Sequence, residues 1–335
     1  MRAGAWEEML AEFRALGGVA DNICQRDGAY GRGIFPIDNA KQVLIRIPER
    51  LLFDTHCVEL RDGALRIKPD ASIGDREKAF FATYQDFFSW GGGGSDEIAR
   101  IFEQTQKLPE GLRHTLADDF NLGEWLRTPA SAHVTKRFID SRCARYGTRT
   151  VIFPLIELLN HSPTGIHYRA AVGLELRGTA SGELFGRYTD ADAFGLFANW
   201  GFACAQPQAF SMALKSSRSE FPVDIGRDLR SLSTAQSFWA PSASRTGNGL
   251  NLGFLMLGNK RFPHMSKGIF YKIMREAGAR NYEEAFDLIQ RANFTWVSNL
   301  LGVLEKIDGD MAQTLRQVAR FQLQALAFYM AVRET

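Results

Sequence analysis

The 335-residue sequence lacks the features that announce several large classes of protein. No apolar run approaches the ~20 residues that a membrane span requires, so no membrane partner is expected. The four cysteines, Cys24, Cys57, Cys143 and Cys204, are far apart, and none forms a Cys-x-x-Cys pair. That spacing signals neither a zinc site nor a disulfide framework. No sign of charge dominates: 40 basic residues face 38 acidic ones, for a formal net charge of +2. So small a surplus gives no electrostatic footprint for nucleic acid or an anionic surface. The opening stretch "MRAGAWEEMLAEFRALGG" has no long apolar core like a secretory leader's and no acid-poor bias like a transit peptide's. A reducing cytoplasm is the simplest setting, and a monomer is expected.

What is present is an ordinary globular mix, 45% hydrophobic and 23% charged, long enough for one large domain or two ordinary ones. Trp6, Met9, Leu10, Phe13 and Leu16 recur at helical spacing before Gly17-Gly18 stops the pattern. The period then shortens. "GRGIF", "QVLIRIP" and "CVELRDGALRIKP" read as short strands, with Asp62-Gly63 as a hairpin turn. Helices are expected from Asp75 to Trp90 and through most of 96–147, of which "SAHVTKRFIDSRCARY" is the clearest. The intervening "GGGGS" is a loop; phosphate-binding loops end in Gly-Lys-Ser/Thr and this one does not. Strand character returns in "TVIF", "YRAAVGLELRG" and "GELFGRY", and "ADAFGLFANWGFA" reads as a short helix and turn. After about 210, "SSRSEFP" and "APSASRTGNG" look like surface loops, and from Met265 the pattern is helical, with long stretches at 282–306 and 310–333. The fold class expected is α+β: a β-rich domain over 1–205 with a helical insert at about 75–147, then a mainly helical domain over 206–335.

Four motifs carry chemistry. "AYGRGIFP" holds Gly31-Arg32-Gly33 but lacks the third glycine and following helix of a dinucleotide fingerprint. It is either a glycine turn entering a strand or a place where backbone comes close to a ligand. "SRCARYG" places Arg142 and Arg145 near the end of a helix, where cations suit the helix dipole and where Arg142 could meet a ligand carboxylate. "PLIELLNHSP" is an apolar run that carries Glu157 and closes on Asn160-His161-Ser162. His161 and His167 complete no metal-ligand array, so no metal is expected. "GELFGRYTDADAFGLFANWGF" sets Tyr188 at a strand end and Trp200 in "NWGF".

In order and spacing these pieces resemble a SET domain, the fold of many protein lysine methyltransferases. They are most similar to the plant Rubisco lysine methyltransferases and their relatives, which include the actin histidine methyltransferase. The resemblance rests on "GRGIFPIDNAKQVLIRIPERLLF", on Ser141-Arg142, on Pro154, Glu157, Asn160, His161 and Ser162, and on Gly182-Glu183, Tyr188 and "NWGF". It covers roughly 29–55 and 140–203 and is architectural beyond about 210. It implies S-adenosylmethionine as cofactor and a protein as substrate. It implies that Tyr30, Gly31, Arg32 and Gly33 hold the methionine part, that Arg142 approaches its carboxylate, and that Asn160 and His161 frame the adenine. Tyr188 becomes the catalytic residue beside the methyl group. Arg145 and Glu157 lie near the entering peptide, and Tyr168 and Trp200 wall the channel.

Three features depart from that pattern. Glu157 stands where aspartate is usual, "DAFG" replaces the stretch that follows the tyrosine, and Trp200 replaces the tyrosine of "Y-G-F". Tryptophan offers an indole N–H and a face for cation–π attraction but no hydroxyl. Lysine is favoured as the methylated residue, histidine remains open, and a non-catalytic module that grips a protein partner is the competing reading.

Overall fold

The computed structural model describes residues 4–89, 94–120, 129–216, 221–229, 241–247, 249–280 and 282–332. Helices and strands are mixed along the chain, which makes the fold α+β. The chain divides into two compact units, Met1–Arg100 with Ala130–Tyr188, and Ile101–Pro129 with Thr189–Thr335. The division therefore falls at 188/189 rather than near 205, and 101–129 leaves the first unit. The reason is packing: Leu112, Leu116 and Phe120 share a core with Phe194, Phe197 and Leu315. Residues 91–93 of the glycine run and 217–220 of an expected loop lie outside the described residues.

In the first unit, the strand Val43–Ile47 buries Val43, Ile45 and Ile47 and leaves Leu44 and Arg46 less covered, the period of two that a half-buried strand requires. It pairs antiparallel with Val19–Asp21 on one side and with Gly173–Gly178 on the other, and Arg169–Ala171 completes the sheet. The two strand-rich stretches of the sequence thus form one body. Glu175 ties three strands together, accepting from Arg46 at 2.7 Å and from Arg169 at 3.1 Å. The hairpin Val58–Arg61 to Ala64–Ile67 turns at Asp62 (φ 51) and Gly63 (φ 75), the two left-handed residues of the turn that its sequence forecasts. Helix Asp75–Phe87 buries Phe80, Phe81 and Tyr84 in the same core. Helix Ala130–Asp140 ends earlier than the sequence pattern suggests. Cys143–Tyr146 is instead a strand paired with Arg149–Ile152. Arg145 accordingly lies on a strand and not at a helix end.

In the second unit, among the described residues, six short strands between 208 and 259 lie between helix Ala193–Trp200 and the three C-terminal helices. Gln208–Phe210 pairs with Met256–Asn259, and the other four form a sheet in which Val223–Ile225 and Gly249–Leu252 run parallel. Alternation is hard to read in strands of three or four residues, so the sequence pattern there gives only loops. Helices Met265–Glu276, Glu283–Leu304 and Asp310–Val332 follow where the 3.6-residue period places them. None of the described helices is long and apolar enough to cross a membrane.

Asp192 is the hub of this unit. It caps helix Ala193–Trp200 by accepting from the Gly195 N–H at 2.9 Å. It also accepts from the Phe210 N–H at 3.1 Å, from Gln322 at 2.8 Å and from Arg227 at 2.6 Å. The side chains of Arg227 and Asp192 are 2% and 0% exposed. Truncating one partner of such a pair leaves the other charge buried and alone. Asp192→Ala is therefore expected to destabilise the second unit by about 3–5 kcal/mol. Hydrogen exchange of the amides over 193–200 and 208–210 reads the loss; unchanged protection would show the ion pair to be dispensable.

Candidate active site

The apolar run before Asn160 enters the core through a strained turn. Leu155 has φ 69 and ψ −49, and the Ile156 N–H donates across it to the Pro154 carbonyl at 2.9 Å, which makes a γ-turn. Leu155 is fully buried, and its own N–H donates to the Tyr84 hydroxyl at 3.0 Å. A single helical turn, Ile156–Leu158, then leads into the strand Asn160–Ile166. That strand runs parallel to Phe185–Gly186, with Asn160 opposite Phe185 and His161 opposite Gly186. Just before this pairing the Leu184 N–H donates to the Ile34 carbonyl at 2.8 Å. Three segments distant in sequence, 31–36, 160–166 and 183–188, therefore meet within the first unit. The approach is close: a methyl group placed on Gly165 would lie 2.6 Å from the Gly186 carbonyl.

Asn160 is 8% exposed. Its Nδ2 donates to Glu183 Oε1 at 2.5 Å and to the Arg32 carbonyl at 3.3 Å. His161 Nδ1 accepts from the Tyr188 N–H at 3.2 Å, and the two rings lie 5.1 Å apart. Burial, with Arg187 nearby, lowers the His161 pKa to about 4. The imidazole is therefore neutral near pH 7, and because Nδ1 accepts, its proton sits on Nε2. The Tyr188 hydroxyl donates to the Leu159 carbonyl at 2.5 Å. Burial raises its pKa well above the ordinary phenol value, so the group stays protonated.

Beside these groups lies a dry charged cluster. Arg142 is 8% exposed, donates from Nη1 to the Phe138 carbonyl at 3.0 Å and to Ser141 Oγ at 2.8 Å, and lies over the Phe138 ring at 3.7 Å. Burial lowers its pKa to about 10, against the opposing pull of the Glu157 charge. Glu157 is 7% exposed and accepts from Ser89 Oγ at 2.7 Å. Burial raises its pKa, with Arg142 and the Ser89 bond acting the other way. Arg142 Nε and Glu157 Oε2 are buried with no hydrogen-bond partner among the described residues.

The remaining expected residues fall in several places. Gly31 (φ 89) closes the turn of the Ile23–Gly28 to Gly31–Pro36 hairpin. Tyr30, 68% exposed at its tip, meets the Phe185 ring edge-on at 5.9 Å. Arg32 caps the end of helix Asp75–Phe87, donating to the carbonyls of Phe87 at 3.0 Å and Ser89 at 3.1 Å. Gly33 has Glu183 and Asn160 against it. Arg145 is exposed and donates to the Gly147 carbonyl at 3.3 Å. Tyr168 packs 5.5 Å from Phe153, and burial raises its pKa. Trp200 ends helix Ala193–Trp200 in the second unit. Glu183, Ser89 and the Leu159 carbonyl join the site without a role expected from the sequence. For Glu183 the available signal was its place in the Gly182-Glu183 motif.

No protein-family model and no curated protein sequence matches the chain. Among solved structures it is similar to the SET domain of LSMT bound to lysine and AdoHcy, at a TM-score of 0.46 and 12% identity, over 99% of this chain and 91% of that one. It is similar also to Rubisco LSMT bound to sinefungin and monomethyllysine, at a TM-score of 0.45 and 12% identity, over 99% and 92%. At TM-scores below 0.5 such a likeness carries no argument.

The His161 geometry sets a pH dependence. The folded state holds a neutral imidazole down to about pH 4, whereas an unfolded histidine takes up its proton near 6.5. Between those values the unfolded chain binds more protons, so this contribution, at most about 3 kcal/mol, is present above pH 6.5 and lost as pH falls toward 4. Long-range ¹H–¹⁵N correlation spectra should show the Nε2–H tautomer with a midpoint near 4. A midpoint at 6.5 would overturn the assignment.

Proposed function

We propose that the chain is an S-adenosylmethionine-dependent protein methyltransferase of the SET type, with lysine favoured over histidine as the residue modified. One observation carries this reading. Tyr188 touches the Asn160-His161 segment twice, through its N–H to His161 and its hydroxyl to the Leu159 carbonyl. The motifs that resemble the family in sequence thereby meet in space. The residues also fit the cofactor. The unpartnered Nε of a buried arginine suits a carboxylate, and Arg142 supplies one. Asn160 and the neutral His161 offer hydrogen bonds to a nucleoside without adding charge.

The bound cofactor supplies a methyl group on a sulfonium, and the protein supplies alignment and electrostatics. Arg142 would hold the carboxylate of the methionine part, and Asn160 and His161 would orient the adenosyl end. Tyr188 stays a phenol, so it positions an incoming amine and does not act as a base. An amine must be neutral to attack. Surroundings dry enough to shift Tyr188 and His161 also disfavour an ammonium, which helps it shed its proton. Tyr30, the backbone of 31–33, Arg145, Glu157, Tyr168 and Trp200 stay in the proposal on the sequence pattern alone. Trp200 in place of tyrosine is the feature that favours the competing reading, a binding module without catalysis.

Transfer of labelled methyl groups to lysate proteins, followed by mass spectrometry of the modified residue, tests the activity. Tyr188→Phe is expected to lower transfer by roughly 100-fold or more, with S-adenosylhomocysteine affinity nearly kept. Equal rates would sink the catalytic assignment, and a wild type that binds the cofactor product yet methylates nothing would leave the binding module. Asn160→Ala should weaken S-adenosylhomocysteine binding by about 1–3 kcal/mol in calorimetry; unchanged affinity in a folded variant would remove Asn160 from the cofactor site.

A further inference from the structure

Glu183 is placed where it can govern what Asn160 offers to a ligand. Its carboxylate lies against the hairpin at two glycines, with Oε2 2.7 Å from a methyl group built on Gly28 and Oε1 in contact with one built on Gly33. No side chain larger than hydrogen leaves that room at Gly33. From there Oε1 receives the Asn160 Nδ2 at 2.5 Å, while the Arg32 carbonyl receives the same nitrogen at 3.3 Å. Two acceptors around one terminal atom of an amide require that atom to be the NH₂ and not the oxygen. Both Nδ2 hydrogens are thereby engaged inside the protein. What Asn160 has left is Oδ1, which is an acceptor only.

We propose that Glu183 is a positioning residue: it locks the Asn160 amide in one of its two flip states, so that the site presents an acceptor and selects a hydrogen-bond donor on its ligand. Gly33 serves the same lock by making room for the carboxylate rather than for the ligand. The proposal rests on the cofactor reading of Asn160, since it states how that residue is held. Without Glu183 the amide loses its stronger acceptor, and both flip states become accessible. A ligand donor then meets Nδ2 part of the time, and ordering the amide is charged against binding.

The test uses the full chain and S-adenosylhomocysteine as probe, with melting curves to show that each variant is folded. Glu183→Ala is expected to lower affinity at least 10-fold. Glu183→Gln keeps a carbonyl oxygen in reach of Nδ2 and should stay within about 3-fold of wild type. Gly33→Ala, which displaces the carboxylate, should behave as Glu183→Ala does. In an Asn160→Ala background Glu183→Ala should cost nothing more, because its effect runs through that amide. Wild-type affinity in Glu183→Ala, or losses that add in the double variant, would overturn the proposal. If the wild type itself does not bind the probe, the cofactor reading fails, and the lock is then read directly from the Asn160 side-chain amide in NMR spectra. Slow hydrogen exchange there in wild type that is lost in Glu183→Ala supports the lock, and identical exchange in both overturns it.

Discussion

A segment that runs into a protein core must find partners for every backbone N–H and C=O it carries, because leaving one unmade in a dry place costs as much as several good contacts return. Residues 151–161 meet that demand with little regular structure of their own. The Leu155 N–H goes to the Tyr84 hydroxyl, the Ile156 N–H closes a γ-turn on Pro154, and the Leu159 carbonyl takes the Tyr188 hydroxyl. Beyond Leu159 the strand 160–166 leans on Phe185 and Gly186 through a very short parallel pairing. The first and last of these borrow a group from elsewhere, so the segment cannot be placed without helix Asp75–Phe87 and the 183–188 stretch arriving with it. The site's polar residues are fixed as a consequence of this accounting.

The same dryness sets the site's electrostatics. Burial pushes four ionisable groups there toward their neutral forms: it lowers His161 and Arg142 and raises Glu157 and Tyr188. Charge survives best where a partner of opposite sign is near, which is why Arg142 and Glu157 occur together. The result is a region with one buried cation, one buried carboxyl and a set of neutral hydrogen-bonding groups aimed from three segments. Such a region holds a polar ligand by geometry more than by net charge, in keeping with a chain whose overall charge is close to zero.

The second unit follows a different plan. Its helices bury long apolar faces, with Phe270, Phe286 and Leu315 in one core, and its irregular strands are gathered by side-chain hydrogen bonds. Asp192 joins a helix N-terminus, the strand at Phe210, Arg227 and the C-terminal helix through Gln322. Asn293 adds a second tie, accepting from the Met212 N–H at 2.8 Å. Neither residue stands out in the sequence, because a buried carboxylate or amide is distinguished only by the groups around it.

The sequence by itself determined the elements whose periodicity lies within a few neighbouring residues: the helices at 75–87, 283–304 and 310–332, the alternating strand 43–47, and the turn at Asp62-Gly63. It also supplied Arg142, Asn160, His161 and Tyr188 as candidates, since their residue types and order form a pattern legible along the chain. Tertiary structure alone decided the rest. The early end of the helix at Asp140, the strands between 208 and 259 and the transfer of 101–129 to the second unit depend on partners far away in sequence. So do the neutral tautomer of His161, the flip state of Asn160 and the burial of Glu157. Local pattern reports which residues share a face of a helix or strand. Protonation, amide orientation and buried pairing are set by the distance to groups that only the folded chain brings near.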